Sequence, residues 1–351
     1  MDTTLLKSLS EAHGISGKED AVRKIILEAI DGHTSDIRID SLGSITAIKR
    51  GTVAGAPRVM LAAHMDEVGF MVSGVDGDGL LRFTAVGSID DRILPGLRMK
   101  IGVNAIPGVV IWTPIHLGRE QSVVKLANLR IDIGAANKDD ANGKVKMGDM
   151  IVFDSYFGEV GTAMVRGKAL DDRAGCALLI DVLRGGPYPV DVLAAFTVQE
   201  EIGLRGAQVA AQTLNPDVAF VLETTTANDI PNPLAVPDEM DEPNPTCRIQ
   251  GGPVFTILDR SIIVNPRLLQ FLRATADKHG IPYQLKTQPG GGTDGGSIHL
   301  ANDGVATAVI SNPSRYIHSP VTYLHRDDFD NSLRLVQALL HDMTSFGGTA
   351  L

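Results

Sequence analysis

The sequence predicts an α/β fold, with a mostly parallel central sheet flanked by helices and a small β-rich, barrel-like domain inserted into it. The apolar runs RVMLAAH, VDVLAAFTV and PDVAFVLE are typical of strands buried on both faces. Helical patterns such as DDRAGCALLIDVLRG lie between such runs, as in sheets with helical crossovers. Between about Val68 and Arg166, short β-like segments alternate with Gly and Pro instead. We therefore predict a discontinuous α/β domain, residues 1–67 plus 166–351, and an inserted domain over residues 68–165.

The remaining elements agree with this layout. SGKEDAVRKIILEAI places Ser16 and Glu19 in the spacing of a capping box, and its apolar residues then recur at helical spacing. DIRIDSLGSITAIKRG alternates apolar and polar residues around Gly43, as the strands of a hairpin do. Near the C-terminus, PRLLQFLRATADKHG and VATAVIS predict a further helix and a further buried strand.

Composition excludes several classes of function. The 351 residues are 44% hydrophobic and 21% charged, which is the balance of a globular protein. A formal net charge of −10 gives no basic surface for nucleic acid or anionic lipid. No apolar run reaches the ~18 residues of a membrane span, and no secretory signal pattern opens the chain, so we expect a cytoplasmic protein. Cys176 and Cys247 lack the spacing of a thiolate zinc site.

Residues with metal-ligand chemistry stand where the predicted buried strands end. They are His64 and Asp66 after RVMLAA, Glu200 and Glu201 after AAFTVQ, Glu223 after VAFVL, His318 beyond AVIS, and Asp171 and Asp172 at a helix start in GKALDDR. Ligands of open α/β sheets bind beyond the carboxyl ends of the strands, so we expect these side chains to meet at one site. Two histidines with several carboxylates suit zinc, cobalt or manganese.

Spacing predicts roles for four of these residues. In an extended His-x-Asp segment, residues i and i+2 point to the same side, so Asp66 is expected to accept the second ring N–H of His64 and to orient it. Glu200 and Glu201 are neighbours at a strand end, so their side chains diverge. We expect one of them to bind a metal ion and the other to act as a general base.

Charge counting favours two metal ions. Two close divalent ions repel each other and need a bridging carboxylate with further anionic ligands. Asp171, Glu201 and Glu223 supply three negative charges. Each residue alone has a simpler explanation: a lone histidine is usually an ordinary polar residue, and Asp171 with Asp172 could cap a helix. The metal site is predicted from their joint occurrence at strand ends.

Five segments, AHMDEVGF, GKALDDR, QEEIGLRGA, GGTDGG and RYIHSP, resemble in this order the M42 family of metalloaminopeptidases, and the likeness covers nearly the whole chain. The resemblance implies two divalent ions per subunit, with zinc or cobalt most expected. It implies that His64 and Glu223 hold one ion, that Glu201 and His318 hold the other, and that Asp171 bridges them. Many members have Asp in place of Glu223, which leaves the denticity of this ligand open.

The resemblance also implies a reaction and an assembly. Glu200 becomes the general base, which accepts a proton from the attacking water and passes it to the leaving amine of an oligopeptide. The larger domain is implied to be catalytic. The inserted domain is implied to serve as an assembly or lid domain, commonly in a homo-oligomer that is a tetrahedral dodecamer.

Three questions stay open at this stage. A deacylase or a carboxypeptidase could use the same metal centre. A glycosidase could use paired carboxylates, but it would leave His64 and His318 without a role. The preferred N-terminal side chain is also undecided, although Arg205 or Arg315 could attract acidic residues.

Overall fold

The computed structural model describes residues 1–117, 122–231, 246–287 and 290–346. The helices in these ranges are α1 Thr3–Glu11, α2 Asp20–Ile30, α3 Lys138–Asn142, α4 Leu170–Arg184, α5 Arg205–Leu214, α6 Pro266–Lys278, α7 Gly295–Ile298 and α8 Arg326–Asp342. The strands are β1 Ser35–Ile39, β2 Ile45–Lys49, β3 Arg58–His64, β4 Gly69–Val75, β5 Leu81–Val86, β6 Arg98–Ile101, β7 Ile106–Val110, β8 Ile131–Asp132, β9 Met150–Phe153, β10 Gly158–Val160, β11 Met164–Gly167, β12 Asp191–Thr197, β13 Val218–Thr226, β14 Val254–Thr256, β15 Gln284–Lys286, β16 Ala306–Arg315 and β17 Thr322–His325.

The larger sheet has the strand order β1-β2-β12-β3-β13-β16-β17-β11-β10, and β14 and β15 extend it beside β16. Its centre, β12-β3-β13-β16, is parallel. Both edges are antiparallel, because β2 reverses against β12 and β17 reverses against β16. The apolar runs of the sequence form the parallel centre, where strands are covered on both faces.

Helices cover both faces of this sheet. Alternate residues of β3 point to opposite sides, so Leu61 belongs to a core with residues of α1, α2, α4, α6 and α8. Met60 and Ala62 belong to a separate core with residues of α5 and α7. The predicted α/β architecture is therefore confirmed.

A second, closed sheet interrupts the α/β chain. Strands β4, β5, β8, β7, β6 and β9 form a barrel with a core of its own. In that core, Phe70 packs edge to face against Phe83 and Phe153, with ring centroids 5.2 and 5.9 Å apart. The predicted barrel-like insertion is present. Strands β10 and β11 pair in the larger sheet, and the division of the chain at residues 68–165 stays a prediction.

The capping box predicted for Ser16 and Glu19 is wrong. Glu19 is itself the residue before α2 and makes no side-chain capping hydrogen bond there. Its carboxylate instead accepts a hydrogen bond from the Gly17 amide at 2.7 Å. Ser16 donates to Oδ2 of Asp66 at 2.6 Å, so a tertiary contact takes the hydroxyl that the local pattern assigned to the helix.

Candidate metal centre

The predicted ligands meet at the carboxyl edge of the parallel strands. His64 is the last residue of β3, Glu223 lies near the end of β13, and Glu200 and Glu201 follow β12. The other two are His318, three residues beyond β16, and Asp171, at the start of α4. Asp171 keeps an extended backbone, with φ −86° and ψ 104°, although it lies within the assigned helix. Four strands and one helix start thus converge on one place.

Asp171 lies between the two imidazoles. Its Oδ1 is 3.5 Å from Nε2 of His64, and its Oδ2 is 3.3 Å from Nε2 of His318. Glu223 Oε1 is also 3.5 Å from Nε2 of His64, and Glu201 Oε1 is 3.3 Å from Nε2 of His318. Asp171 belongs to both of these triads, and His64, Glu200 and Glu201 form a third group that could hold a metal ion.

The geometry of these triads fits metal ions. A tetrahedral ion with bonds of about 2.1 Å separates its ligand atoms by about 3.4 Å, which is longer than an ordinary hydrogen bond. The nitrogen-to-oxygen distances within the triads are 3.3 to 3.5 Å. Oδ1 of Asp171 is buried and has no hydrogen-bond partner among the described residues. A buried carboxylate oxygen without a donor is costly, and a cation would satisfy it.

Burial and neighbouring charges shift the pKa values of the cluster in opposite directions. Burial raises the pKa of Glu223 to about 7 and that of Glu200 well above its usual range. Burial opposes protonation of His318, but its contacts with Asp171 and Glu201 raise its pKa to about 11. Although burial alone raises the pKa of Asp171, its two imidazole contacts hold it below the usual value. This concentration of buried carboxylates is the environment that a divalent cation stabilises.

Asp66 supports the segment that carries the two glutamates. Its Oδ1 accepts a hydrogen bond from the Glu200 amide at 3.0 Å, and its Oδ2 accepts one from the Glu201 amide at 3.2 Å. Nδ1 of His64 lies 3.0 Å from the main-chain oxygen of Asp66 and 3.6 Å from its Oδ1. The nearest acceptor for the ring N–H is thus the carbonyl and not the carboxylate. The role of Asp66 in orienting His64 stays a prediction.

Two further buried acids lie at the site: Asp172, which was among the candidates predicted from the sequence, and Asp294, which was not. Oδ2 of Asp172 accepts a hydrogen bond from the His64 amide at 3.3 Å. Asp294 accepts a hydrogen bond from Thr197, while its Oδ1 has no partner among the described residues. Burial raises the pKa of Asp294 to about 6. The only hint of Asp294 in the sequence was the segment GGTDGG, which contains it. The local pattern of that segment does not indicate a contact with Thr197 of β12.

A cleft of about 850 Å³ opens over the ligand cluster. Glu200 lines it, is 8% exposed, and makes no side-chain hydrogen bond to the described residues. The other lining residues include Ser88, Thr225, Thr226, Thr256, Lys286, Gly290, Gly291 and Gly292. Three consecutive glycines therefore lie beside the ligand cluster. Histidine and carboxylate side chains that meet at strand ends below an open cleft are typical of metal-dependent α/β hydrolases.

Sequence comparisons narrow this class. The family model described as M42 glutamyl aminopeptidase matches residues 43–335. The chain is 36% identical over 340 residues to a putative aminopeptidase of Acetivibrio thermocellus, covering 95% of this chain and 96% of the relative. It is 33% identical to the lysyl aminopeptidase of Pyrococcus furiosus, with 98% of both chains covered. It is 31% identical to the glutamyl aminopeptidase of Lactococcus lactis, covering 97% and 96%.

Comparison with solved structures agrees with the sequence comparisons. Aminopeptidase APDkam598 from Desulfurococcus kamchatkensis matches with a TM-score of 0.91 and 34% identity, covering 99% of this chain and 98% of that one. The Pyrococcus horikoshii TET1 peptidase, which can assemble into a tetrahedron or a large octahedral shell, matches with a TM-score of 0.84 and 33% identity, covering 97% and 99%. A chain of the PhTET1-12s dodecamer matches with a TM-score of 0.85 and 32% identity, covering 97% of this chain and 99% of that one. The chain belongs to the M42 glutamyl aminopeptidase family, whose members depend on metal ions.

Among the helices in the described ranges, none has both the length and the apolar composition that crossing a bilayer requires.

Proposed function

We propose that this protein removes the N-terminal residue from peptides at a centre of two divalent metal ions, zinc or cobalt. The observation that carries the proposal is the position of Asp171, with one carboxylate oxygen toward each imidazole. In the proposed centre, His64 and Glu223 hold one ion and Glu201 and His318 hold the other. Asp171 is the ligand common to both.

The protein residues have separate tasks in this reaction. When bound, the two ions would acidify a water molecule and polarise the scissile carbonyl. Glu200 lines the cleft, and a ligand oxygen of its carboxylate lies within 4.8 Å of ligand atoms of His64 and Glu201. It accepts the proton of the attacking water and donates a proton to the leaving amine. Asp66 holds the Glu200 and Glu201 amides and so fixes the base relative to the ligands.

The composition of the cleft supports a peptide with a free N-terminus as the substrate. A free N-terminal amine is cationic, and the carboxylates of the cluster line the cleft wall. In the proposed reaction, the free N-terminal amine is held at a metal ion or by a carboxylate beside it, which positions the first peptide bond of an oligopeptide at the centre. An acetylated N-terminus cannot be held in this way.

The α/β domain is proposed as the catalytic domain, residues 1–67 plus 166–351, and the insertion at residues 68–165 as the assembly domain. Large apolar side chains lie exposed on the insertion, including Val103 at 88%, Met147 at 78% and Trp112 at 61%. Exposed apolar side chains mark a protein contact where they lie together in a patch. The exposed apolar side chains, together with the shells that the TET peptidases form, support a homo-oligomer and specifically a tetrahedral dodecamer.

Two other activities compete with this proposal. A deacylase or a carboxypeptidase of the same metal type would use the same ligands but would not require a free amine. A glycosidase would use Glu200 and Glu201 as acid and nucleophile, yet the two imidazoles contact carboxylates and would have no task in that reaction.

The test uses metal-stripped full-length protein and short peptides in free and N-acetylated forms, with and without added Zn²⁺ or Co²⁺. We expect metal-dependent release of the first residue from the free peptides only. Cleavage confined to the acetylated peptides would move the activity to a deacylase. Release of the C-terminal residue would identify a carboxypeptidase, and either result would overturn the proposal.

A further inference from the structure

Lys286 is a cation in the wall of the cleft. It is the last residue of β15, which pairs with β14 at the side of β16, and its side chain is half-buried. Its Nζ donates a hydrogen bond to Oγ1 of Thr225 at 2.8 Å. Thr226 and Thr256 also line the cleft. Thr256 lies opposite Lys286 in the pairing of β14 with β15. A threonine-lined pocket with one ammonium group therefore lies next to the metal ligands.

The charge of Lys286 is not neutralised within the described part of the chain. No carboxylate in the described ranges lies within 4.0 Å of its Nζ. Asp259 also lines the cleft, but its Oδ1 accepts hydrogen bonds from Ser261 and Ile262. Its Oδ2 is 3.4 Å from the hydroxyl of Thr293. A partly desolvated ammonium with one neutral partner has donors left for an anionic ligand.

The position of Lys286 matches the reach of an amino-acid side chain. Thr225 follows Glu223 by two residues on β13, so both side chains point to the same face, roughly 7 Å apart along the strand. The ammonium bonded to the Thr225 hydroxyl therefore lies at the position that follows Glu223 on the same face of β13. A spacing of roughly 7 Å along a strand is comparable with the length of a glutamate residue from its carbonyl to its carboxylate.

The arginines considered from the sequence do not fill this role. Arg315 donates to both carboxylate oxygens of Asp229, at 2.6 and 2.9 Å, so its charge is paired. Arg205 is exposed and contacts the side chain of Gln199. Among the described residues that line the cleft, Lys286 is the one lysine or arginine.

We propose that Lys286 binds the side-chain carboxylate of the substrate's first residue and makes this enzyme prefer peptides that begin with Glu or Asp. The inference rests on the aminopeptidase function proposed above. Within a family that includes both lysyl and glutamyl enzymes, it assigns the preference of this chain to one residue.

The experiment compares p-nitroanilides of Glu, Gln, Leu and Lys with the metal-loaded enzyme. These substrates have no C-terminal carboxylate, so Glu and Gln differ only in the side-chain charge. We expect kcat/KM for Glu over Gln to fall by roughly 10- to 100-fold in Lys286→Met, while Leu hydrolysis stays within about threefold. Lys286→Glu should shift the preference toward the Lys substrate. Arg205→Met, which removes an exposed cation, is the matched control and should leave the Glu over Gln ratio unchanged.

The outcomes separate the two proposals. If wild-type enzyme cleaves the Leu substrate but Lys286→Met keeps the wild-type Glu over Gln ratio, the assignment of Lys286 is wrong and the aminopeptidase stands. A ratio that falls in Arg205→Met instead would move the assignment to Arg205. If Lys286→Met slows cleavage of dipeptides but not of their C-terminal amides, Lys286 binds the C-terminal carboxylate and the inference is overturned. Failure to cleave any free-amine substrate would refute the aminopeptidase itself.

Discussion

Nζ of Lys168 donates to both carboxylate oxygens of Glu67, at 2.6 and 2.8 Å, and both side chains are 2% exposed. Glu67 follows His64 by three residues, and Lys168 precedes Asp171 by three. The pair therefore joins the two chain segments that carry these ligands. Arg173 reinforces the junction through a 2.7 Å hydrogen bond to a main-chain oxygen in the same segment as Glu67. A buried ion-pair network thus supports the candidate metal centre from behind.

Lys168→Met should destabilise the protein by about 3–5 kcal/mol, because it leaves the buried Glu67 carboxylate without its closest cation. Chemical denaturation of the purified protein measures the loss. The double variant with Glu67→Gln should recover part of it, since the buried carboxylate is then neutral and Arg173 keeps its main-chain acceptors. Equal destabilisation by the single and double variants would show that the pair is not coupled.

The same lysine predicts a dependence of stability on pH. Burial lowers the pKa of Lys168 from 10.5 to about 8, so between these pH values the unfolded chain binds more protons at this position than the folded chain. Stability from this group is therefore lowest below pH 8 and rises as pH increases from 8 toward 10.5. The free energy of unfolding of wild type minus that of Lys168→Met should increase across this window. A flat or falling difference would contradict the shift.

Glu200→Gln should lower kcat by roughly 10²- to 10⁴-fold, the usual effect of losing a general base. The amide has the shape of the carboxylate but cannot accept the proton of the attacking water. Metal content measured by inductively coupled plasma mass spectrometry should stay at the wild-type value. Glu28→Gln, at an exposed glutamate on α2, is the control and should retain full activity. Metal loss in step with activity would assign Glu200 to metal binding.

His318→Ala should remove one of the two metal ions per chain, since His318 contacts only the Asp171 and Glu201 triad. The ion at His64 and Glu223 should remain, because its ligands are unchanged. Metal titration followed by calorimetry distinguishes one site from two. His33→Ala, at an exposed histidine outside the site, should bind as wild type does. Two retained ions in His318→Ala would show that the ligand assignment is wrong.

Trp112→Glu together with Met147→Glu should break the proposed assembly, because both residues are exposed on the insertion and a buried charge at a contact is unfavourable. Light scattering should give roughly 450 kDa for wild type, twelve times the 37.3 kDa chain, and a much smaller mass for the variant. Leu300→Glu, at an apolar residue that is 73% exposed outside the insertion, is the matched control. An unchanged mass would exclude this surface as the contact.

The sequence predicted those features that depend on neighbours along the chain. The buried runs at β3, β12 and β13 were correct because strands covered on both faces need continuous apolar residues. The convergence of His64, Glu201 and Glu223 followed from the rule that ligands bind at the carboxyl edge of such strands. The capping box of Ser16 was wrong because Asp66, fifty residues away in the sequence, takes its hydroxyl.

By itself, the sequence determined the α/β architecture, the inserted barrel and the residue types able to bind a metal. The spacing of apolar residues and the residue types at strand ends are local properties of the chain. Only the tertiary structure decided that the His64 ring faces a main-chain oxygen at 3.0 Å and that Asp171 stands between two imidazoles. It alone placed Lys286 in the cleft and joined Glu67 to Lys168. Apart from the His64 contact, which lies within one segment, these contacts join residues at least 61 positions apart in the sequence, and local sequence patterns carry no information on such pairings.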